Sequence, residues 1–171
     1  MKYEVSIPIW SVVDQANAKV HYMARSASES AQGEATLSEL SEGENEDMIL
    51  SSIDKALSAL SSIIALDASN TYQRSEDLEG SQDPQAKFTL LLPSNFDKGA
   101  GKALAEAMAH YCINVIVQDW VAVVLPTHTD AYVQEQAKSV LAIRDLLKKR
   151  VRPQYEDDTP VYDTIEIVYN D

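Results

Sequence analysis

The side chains that could carry out chemistry are few, and they lie on separate predicted elements. The histidines are His21, His110 and His128, and the single cysteine is Cys112. His110 and Cys112 are too close in sequence to share one face of a helix, so a Cys–His nucleophile is not expected. No HExxH, CxxC or GxSxG motif and no phosphate-binding glycine loop is present. The sequence therefore predicts no enzyme active site, no metal site and no cofactor.

Asp119 is the more informative polar residue, because it interrupts an almost entirely apolar run over residues 113–125. If buried without a partner, its carboxylate would destabilise the fold strongly. Arg144 lies on the predicted inward face of the following helix, at a similar distance from the connecting turn. We therefore expect an Asp119–Arg144 pair that fixes the register of the two helices. The alternative is that Asp119 faces solvent or an end loop.

Residues 101–150 read as two long helices joined by a short connection at residues 125–128. Apolar side chains point in every direction around the first helix, which is typical of a buried helix, and Trp120 should be inaccessible. The run is shorter than the ~20 apolar residues of a membrane span, so we expect no membrane contact. The short connection makes the two helices antiparallel neighbours. The predicted inward stripe of the second helix consists of Val133, Ala137, Val140, Leu141, Arg144 and Leu147.

The remaining elements follow from hydrophobic periodicity. Tyr3, Val5 and Ile7 alternate with polar residues, as in a half-buried strand. Apolar residues three and four positions apart predict helices over residues 8–27 and 46–67. Residues 88–92 form a short predicted strand, and residues 68–86 a polar connection. A terminal strand is predicted from Val161, Ile165, Ile167 and Tyr169.

These elements predict one domain over residues 1–171, with a mainly α fold: an antiparallel bundle of about four helices with short peripheral β-strands. A chain of this length buries roughly two-thirds of the surface that its unfolded form exposes. Residues 28–47 carry acidic residues and no basic ones, and we expect a solvated loop that is either a disordered connector or functional. Residues 154–171 are predicted to form an extended C-terminal arm.

The charge of the chain excludes one class of partner. With 27 acidic and 14 basic residues, the formal net charge is -13. Such a chain repels a phosphate backbone, so sequence-specific nucleic-acid binding is not expected. The single cysteine and an N-terminus without a sustained apolar region predict synthesis in the cytoplasm.

A resemblance is carried by the sequence FTLLLPSNFD at residues 88–97. It continues through Tyr111, Asp119, Trp120, Leu125, Pro126, Tyr132, Ile143, Arg144 and residues 150–153. Together these positions resemble a group of small phage and prophage proteins of Bacteroides-type bacteria that are encoded among head–tail connector and tail genes. The likeness covers roughly the C-terminal half of the chain.

The resemblance implies a virion structural or assembly subunit, of the head–tail connector, neck or tail-completion kind, rather than an enzyme. Its expected partners are copies of itself and other virion proteins. It would be found in the host cytoplasm during assembly and then in the virion, or in the cytoplasm if it is not viral. An acidic wall would also suit a DNA conduit, because DNA would slide along it without sticking.

The sequence leaves open whether the predicted terminal strands contact other subunits or pair within the chain. The two predicted terminal strands could contact neighbouring subunits, because a strand from one subunit can complete the sheet of another. The interface residues would then be Tyr3, Val5, Ile7, Val161, Ile165, Ile167 and Tyr169. Alternatively, both ends pair with each other, or with residues 88–92, in one intramolecular sheet. A second function class is a monomeric binding module that holds a small apolar ligand or a partner helix between its third and fourth helices.

Overall fold

A computed structural model of the chain describes residues 1–30, 46–74, 84–126 and 129–151. The elements are β1 (Lys2–Pro8), α1 (Ile9–Ser30), α2 (Glu46–Ala65), β2 (Ser69–Arg74), β3 (Gln85–Leu91), α3 (Gly101–Val124) and α4 (Thr129–Leu147). Four helices and a small antiparallel sheet over these ranges confirm the predicted mainly α class. Most of the predicted acidic loop, and the predicted terminal strand with Val161, Ile165, Ile167 and Tyr169, lie outside the described residues.

α3 is the helix around which the bundle is built. It contacts α1, α2, α4 and β1. All residues from 111 to 117 are buried, and Trp120 is 1% exposed. Because its apolar side chains cover every face, α3 is stable only with neighbours packed all around it. The prediction of a buried central helix is confirmed.

The three-stranded sheet has the order β1-β3-β2, and both pairings are antiparallel. Phe88, on the central strand β3, lies opposite Val5 of β1 and Tyr72 of β2. The Phe88 side chain is fully buried, and the Tyr72 ring stacks on it with 4.9 Å between ring centroids. The alternation of buried and exposed residues along β3 shows that one face of the sheet packs on the core.

The strand β2 corrects the prediction that residues 68–86 are only a connection. Its sequence SNTYQR has a single large apolar side chain, Tyr72, so it lacks the alternation that indicates a half-buried strand. Asn70 anchors the strand to α2: its Nδ2 donates to the backbone oxygen of Ser61 at 2.9 Å, and its Oδ1 accepts from the Ser61 hydroxyl at 2.8 Å. Tertiary contacts therefore determine this strand.

α4 packs on α3 through a face that matches the predicted one only in part. The four residues between the helices make them antiparallel, as predicted. Ile143 and Leu147 are buried, but Val133 and Leu141 are 47% and 60% exposed. Ala137 is also exposed, so the predicted inward stripe is wrong for these three residues. The cause is that α4 has apolar residues on two faces, and only one of them fits against α3.

Two helical segments meet the length and hydropathy criteria for crossing a membrane, Met48–Ala65 and Lys98–Val124. The second contains α3, and 56% of its most apolar window is buried within the bundle. The core helix of a soluble protein meets the same criteria, so this finding is weak evidence of a membrane span.

Candidate functional site

Asp119 binds α2, which corrects the predicted Asp119–Arg144 pair. The Ser52 hydroxyl donates to one carboxylate oxygen of Asp119 at 2.9 Å, and Lys55 Nζ donates to the other at 2.7 Å. The Asp119 side chain is 24% exposed and that of Lys55 65% exposed, so the pair lies at the surface. Asp119 thus joins α3 to α2.

Arg144 pairs with Asp67, which follows the end of α2. Arg144 Nε donates to Asp67 Oδ2 at 2.6 Å, and Lys148 Nζ lies 3.3 Å from Asp67 Oδ1. The Arg144 hydrogen bond holds the pKa of Asp67 below its usual value, with a smaller opposing effect from desolvation. At ~1.5 Å per residue, Ser52 and Asp67 are about 20 Å apart along the direction of α2, so Asp119 binds near the middle of α2 and Arg144 binds just beyond its C-terminal end.

A third polar contact joins three helices. Asn114 is buried in α3. Its Oδ1 accepts from Lys19 Nζ of α1 at 3.0 Å, and its Nδ2 donates to Ser139 Oγ of α4 at 3.2 Å. A buried amide is costly without such partners, so this contact favours one relative placement of the three helices. All three polar contacts therefore hold helices together.

The chemistry of Cys112 argues against a nucleophilic role. Its side chain is buried in α3, and desolvation raises the pKa of the thiol to about 12. The thiol is therefore protonated at neutral pH, whereas a nucleophilic cysteine is a thiolate. Over the described ranges, no group of three or more His, Cys, Asp and Glu side chains could hold a metal ion.

The N-terminal strand also corrects a predicted interface. Val5 and Ile7 are buried, and β1 pairs with β3 of the same chain. Tyr3 is half-buried and packs on Phe96, with 5.6 Å between ring centroids. The intramolecular alternative therefore holds for β1, because its apolar stripe completes the core of its own bundle. The outer edge of β1 has no strand paired to it among the described residues.

The chain leaves α4 close to this strand. Val151 N donates to Asn95 O at 2.9 Å, and Arg150 forms an isolated antiparallel bridge with Phe96. Since Phe96 contacts Tyr3, the described chain ends, at Val151, near the N-terminal end of β1.

Comparison with known proteins provides no relative from which to transfer a function. No protein-family profile, no curated protein and no solved structure matches the chain.

Proposed function

We propose that the chain is a structural or assembly subunit of a phage-type virion, of the head–tail connector, neck or tail-completion kind. It would assemble with copies of itself and with other virion proteins. The sequence resemblance suggests the class of protein. Two structural observations support the proposal. The outer edge of β1 has no strand paired to it among the described residues, and the described chain ends at Val151, one residue after the bridge between Arg150 and Phe96, whose ring packs on Tyr3 of β1.

The arm is long enough to reach a neighbouring subunit. Residues 152–160 can span about 30 Å when extended, at ~3.3 Å per residue. The strand β1 has 7 residues, which corresponds to about 23 Å. The segment 161–169 can therefore pass beyond its own sheet and add to the β1 edge of the next copy, where backbone hydrogen bonds supply the affinity. Val161, Ile165, Ile167 and Tyr169 supply the apolar contacts.

The charge of the chain agrees with such a role. A net charge of -13 repels the phosphate backbone of DNA. A subunit with this surface could line a passage for DNA without holding it, and its contacts with other proteins would have to come from strand edges and apolar patches.

Deletion of residues 156–171 tests the proposal. The truncated protein should keep the helical content and melting temperature of the full chain, because the described core ends before the deletion. The mass of its assembled species should fall, because the contacts that the arm makes with other copies are lost. Circular dichroism measures the first and sedimentation velocity the second. A lower melting temperature with an unchanged mass would mean that the arm completes its own bundle, and would contradict the proposal.

A matched pair of full-length variants separates an effect of sequence from an effect of length. Replacing Ile165 and Ile167 by Asp removes the apolar face of the arm and should act like the deletion. Replacing Thr164 and Val168 by Asp adds the same charge to the opposite face and should leave assembly largely intact. Equal loss of assembly in both variants would show that the alternation of the arm is irrelevant.

A further inference from the structure

α4 carries an exposed stripe whose pattern is symmetric about Ala137. Val133 lies four residues before Ala137 and Leu141 four residues after it, and these side chains are 47% and 60% exposed. Asp130 lies seven residues before Ala137 and Arg144 seven residues after it. Residues four and seven positions apart share one face of a helix. Along the helix the stripe therefore reads acidic, apolar, small, apolar, basic.

We infer that two copies of the chain pair through this stripe, with the two α4 helices antiparallel about a two-fold axis at Ala137. Each Val133 then faces Leu141 of the second copy, and the two Ala137 side chains meet at the axis. A two-fold interface must be self-complementary, and the α4 stripe meets that condition because its two halves are opposite in charge and alike in size. The pairing requires neither a viral origin nor the C-terminal arm.

Charge selects the antiparallel orientation. Antiparallel pairing places Asp130 of one copy opposite Arg144 of the other, whereas parallel pairing would place each Arg144 opposite its own counterpart. The Arg144 side chain is 37% exposed although its Nε binds Asp67, so it can be reached from outside. Asp67 also holds the guanidinium in place, which lowers the entropy lost on pairing. Lys148, 55% exposed, adds to the positive end.

The shape of the stripe permits close contact. Val133, Ala137 and Leu141 form a ridge of residues four apart, and two such ridges interdigitate when the helices cross at about −50°. A small side chain at the crossing point lets the helices approach closely. The described neighbours of this ridge leave it uncovered, since both large side chains on it are about half exposed or more.

Cysteine cross-linking tests the pairing most sharply. Ala137→Cys places a thiol at the proposed axis, and mild oxidation should link two full-length copies covalently. Ala142→Cys is the control, because Ala142 is also exposed on α4 but lies off the stripe. The native Cys112 is buried and should not interfere. Equal cross-linking of the two variants would overturn the inference.

A second measurement uses the mass of the full chain in solution. Leu141→Glu should halve the mass of the assembled species, because the pairing through α4 is lost, and should leave the melting temperature unchanged. Leu91→Glu is the control. Leu91 is also largely exposed, at 54%, but it lies on β3, which packs mainly on β1 and β2 and not on α4. An unchanged mass for Leu141→Glu would contradict the pairing. A fall in melting temperature without a change in mass would show that a segment of the same chain covers the stripe, and would also contradict it.

The cross-link distinguishes failure of this inference from failure of the proposed function. Ala137→Cys in the chain shortened by residues 156–171 should still cross-link, because the arm plays no part at α4. If the deletion abolished both assembly and the cross-link, the arm would be the contact at both places, and the two-fold pairing would be wrong.

Discussion

The ionisation of Asp67 is coupled to the fold. Its carboxylate accepts a hydrogen bond from Arg144 Nε at 2.6 Å and lies 3.3 Å from Lys148 Nζ. These contacts join the C-terminal end of α4 to the end of α2. The hydrogen bond from Arg144 is the largest cause of its lowered pKa. An Asp carboxyl in an unfolded chain has a pKa of about 3.9. Because the folded pKa is lower, the ionised carboxylate stabilises the fold above about pH 4 and loses that effect as the pH falls through the folded pKa.

We therefore predict that Asp67→Asn makes the stability of the fold less dependent on pH in the acid range. Between about pH 5 and pH 2, the melting temperature of the wild type should fall more steeply than that of the variant. Asp14→Asn, at an exposed position on α1, is the control and should follow the wild type. Parallel curves for the wild type and Asp67→Asn would mean that the ion pair does not form in solution.

The contacts of Asp119 with Ser52 and Lys55 should contribute unequally to the free energy of unfolding. Asp119→Ala should cost about 1 kcal/mol, because the buried Ser52 hydroxyl loses its acceptor. Lys55→Ala should cost less than about 0.5 kcal/mol, because that ion pair is largely exposed. Urea denaturation of single and double variants measures both. The losses in unfolding free energy caused by Asp119→Ala and Arg144→Ala should add to within ~0.5 kcal/mol in the double variant. A larger coupling would mean that Asp119 and Arg144 contact each other, contrary to the structure.

Gly101 determines how closely β1 can approach α3. Its backbone is helical, with φ at −63°, so conformational freedom does not explain the glycine. A Cβ there would overlap the Tyr3 hydroxyl, and the Tyr3 ring is held in turn by Phe96. The glycine is thus required by the close approach of a strand to a helix.

Because of this close approach, the effect of Gly101→Ala on stability should change sign when Tyr3 is also replaced. In the wild-type background, Gly101→Ala should destabilise the protein by ~1–3 kcal/mol, because Tyr3 must move. In a Tyr3→Ala background the same change should stabilise it by up to ~1 kcal/mol, since only the better helix propensity of Ala remains. Thermal unfolding of the four proteins measures the cycle. The same penalty in both backgrounds would place the cause elsewhere.

Burial along α3 differs sharply between two valines. Val117 is fully buried, whereas Val123, near the end of the helix, is 74% exposed. Val117→Asp should abolish soluble expression, because it places an unpaired charge in the core. Val123→Asp should be tolerated within ~0.5 kcal/mol, since it makes the same chemical change at a surface site. Soluble yield and melting temperature report both outcomes, and a folded Val117→Asp variant would contradict the packing around α3.

The sequence predicts those elements whose own residues decide their structure. α3 is predictable because its side chains are apolar on all faces, which only a buried helix explains. The sequence prediction places Leu141 wrongly, because Leu141 and Ile143 are equally apolar and only the contact with α3 distinguishes them. The sequence does not predict the strand β2, because its position depends on Phe88 of β3 and Ser61 of α2, which lie outside the strand.

The polar partners were harder to predict than the elements. The sequence predicts Arg144 as the partner of Asp119, and the structure corrects this, because the partner of a side chain on a central helix depends on which neighbouring helix lies on that side. Ser52 and Lys55 of α2 lie there, and nothing in the local sequence marks them as ligands of Asp119. The pairing of Arg144 with Asp67 likewise depends on how α2 and α4 are arranged around α3.

Taken together, three polar contacts of the described chain join helices to one another, and two surfaces remain without a described neighbour. Asp119, Asp67 and Asn114 each join helices. The outer edge of β1 and the apolar stripe of α4 face outward in the part of the chain that the structure describes. With a net charge of -13, copies of the chain repel one another at long range, so such contacts must be specific to overcome that repulsion.

Sedimentation velocity of the purified full chain, over a range of protein concentrations, measures whether copies of the chain assemble. An assembling subunit should give a species larger than one chain whose mass falls when residues 156–171 are removed, while the melting temperature stays the same. A single-chain mass at every concentration would contradict both the proposed function and the pairing through α4.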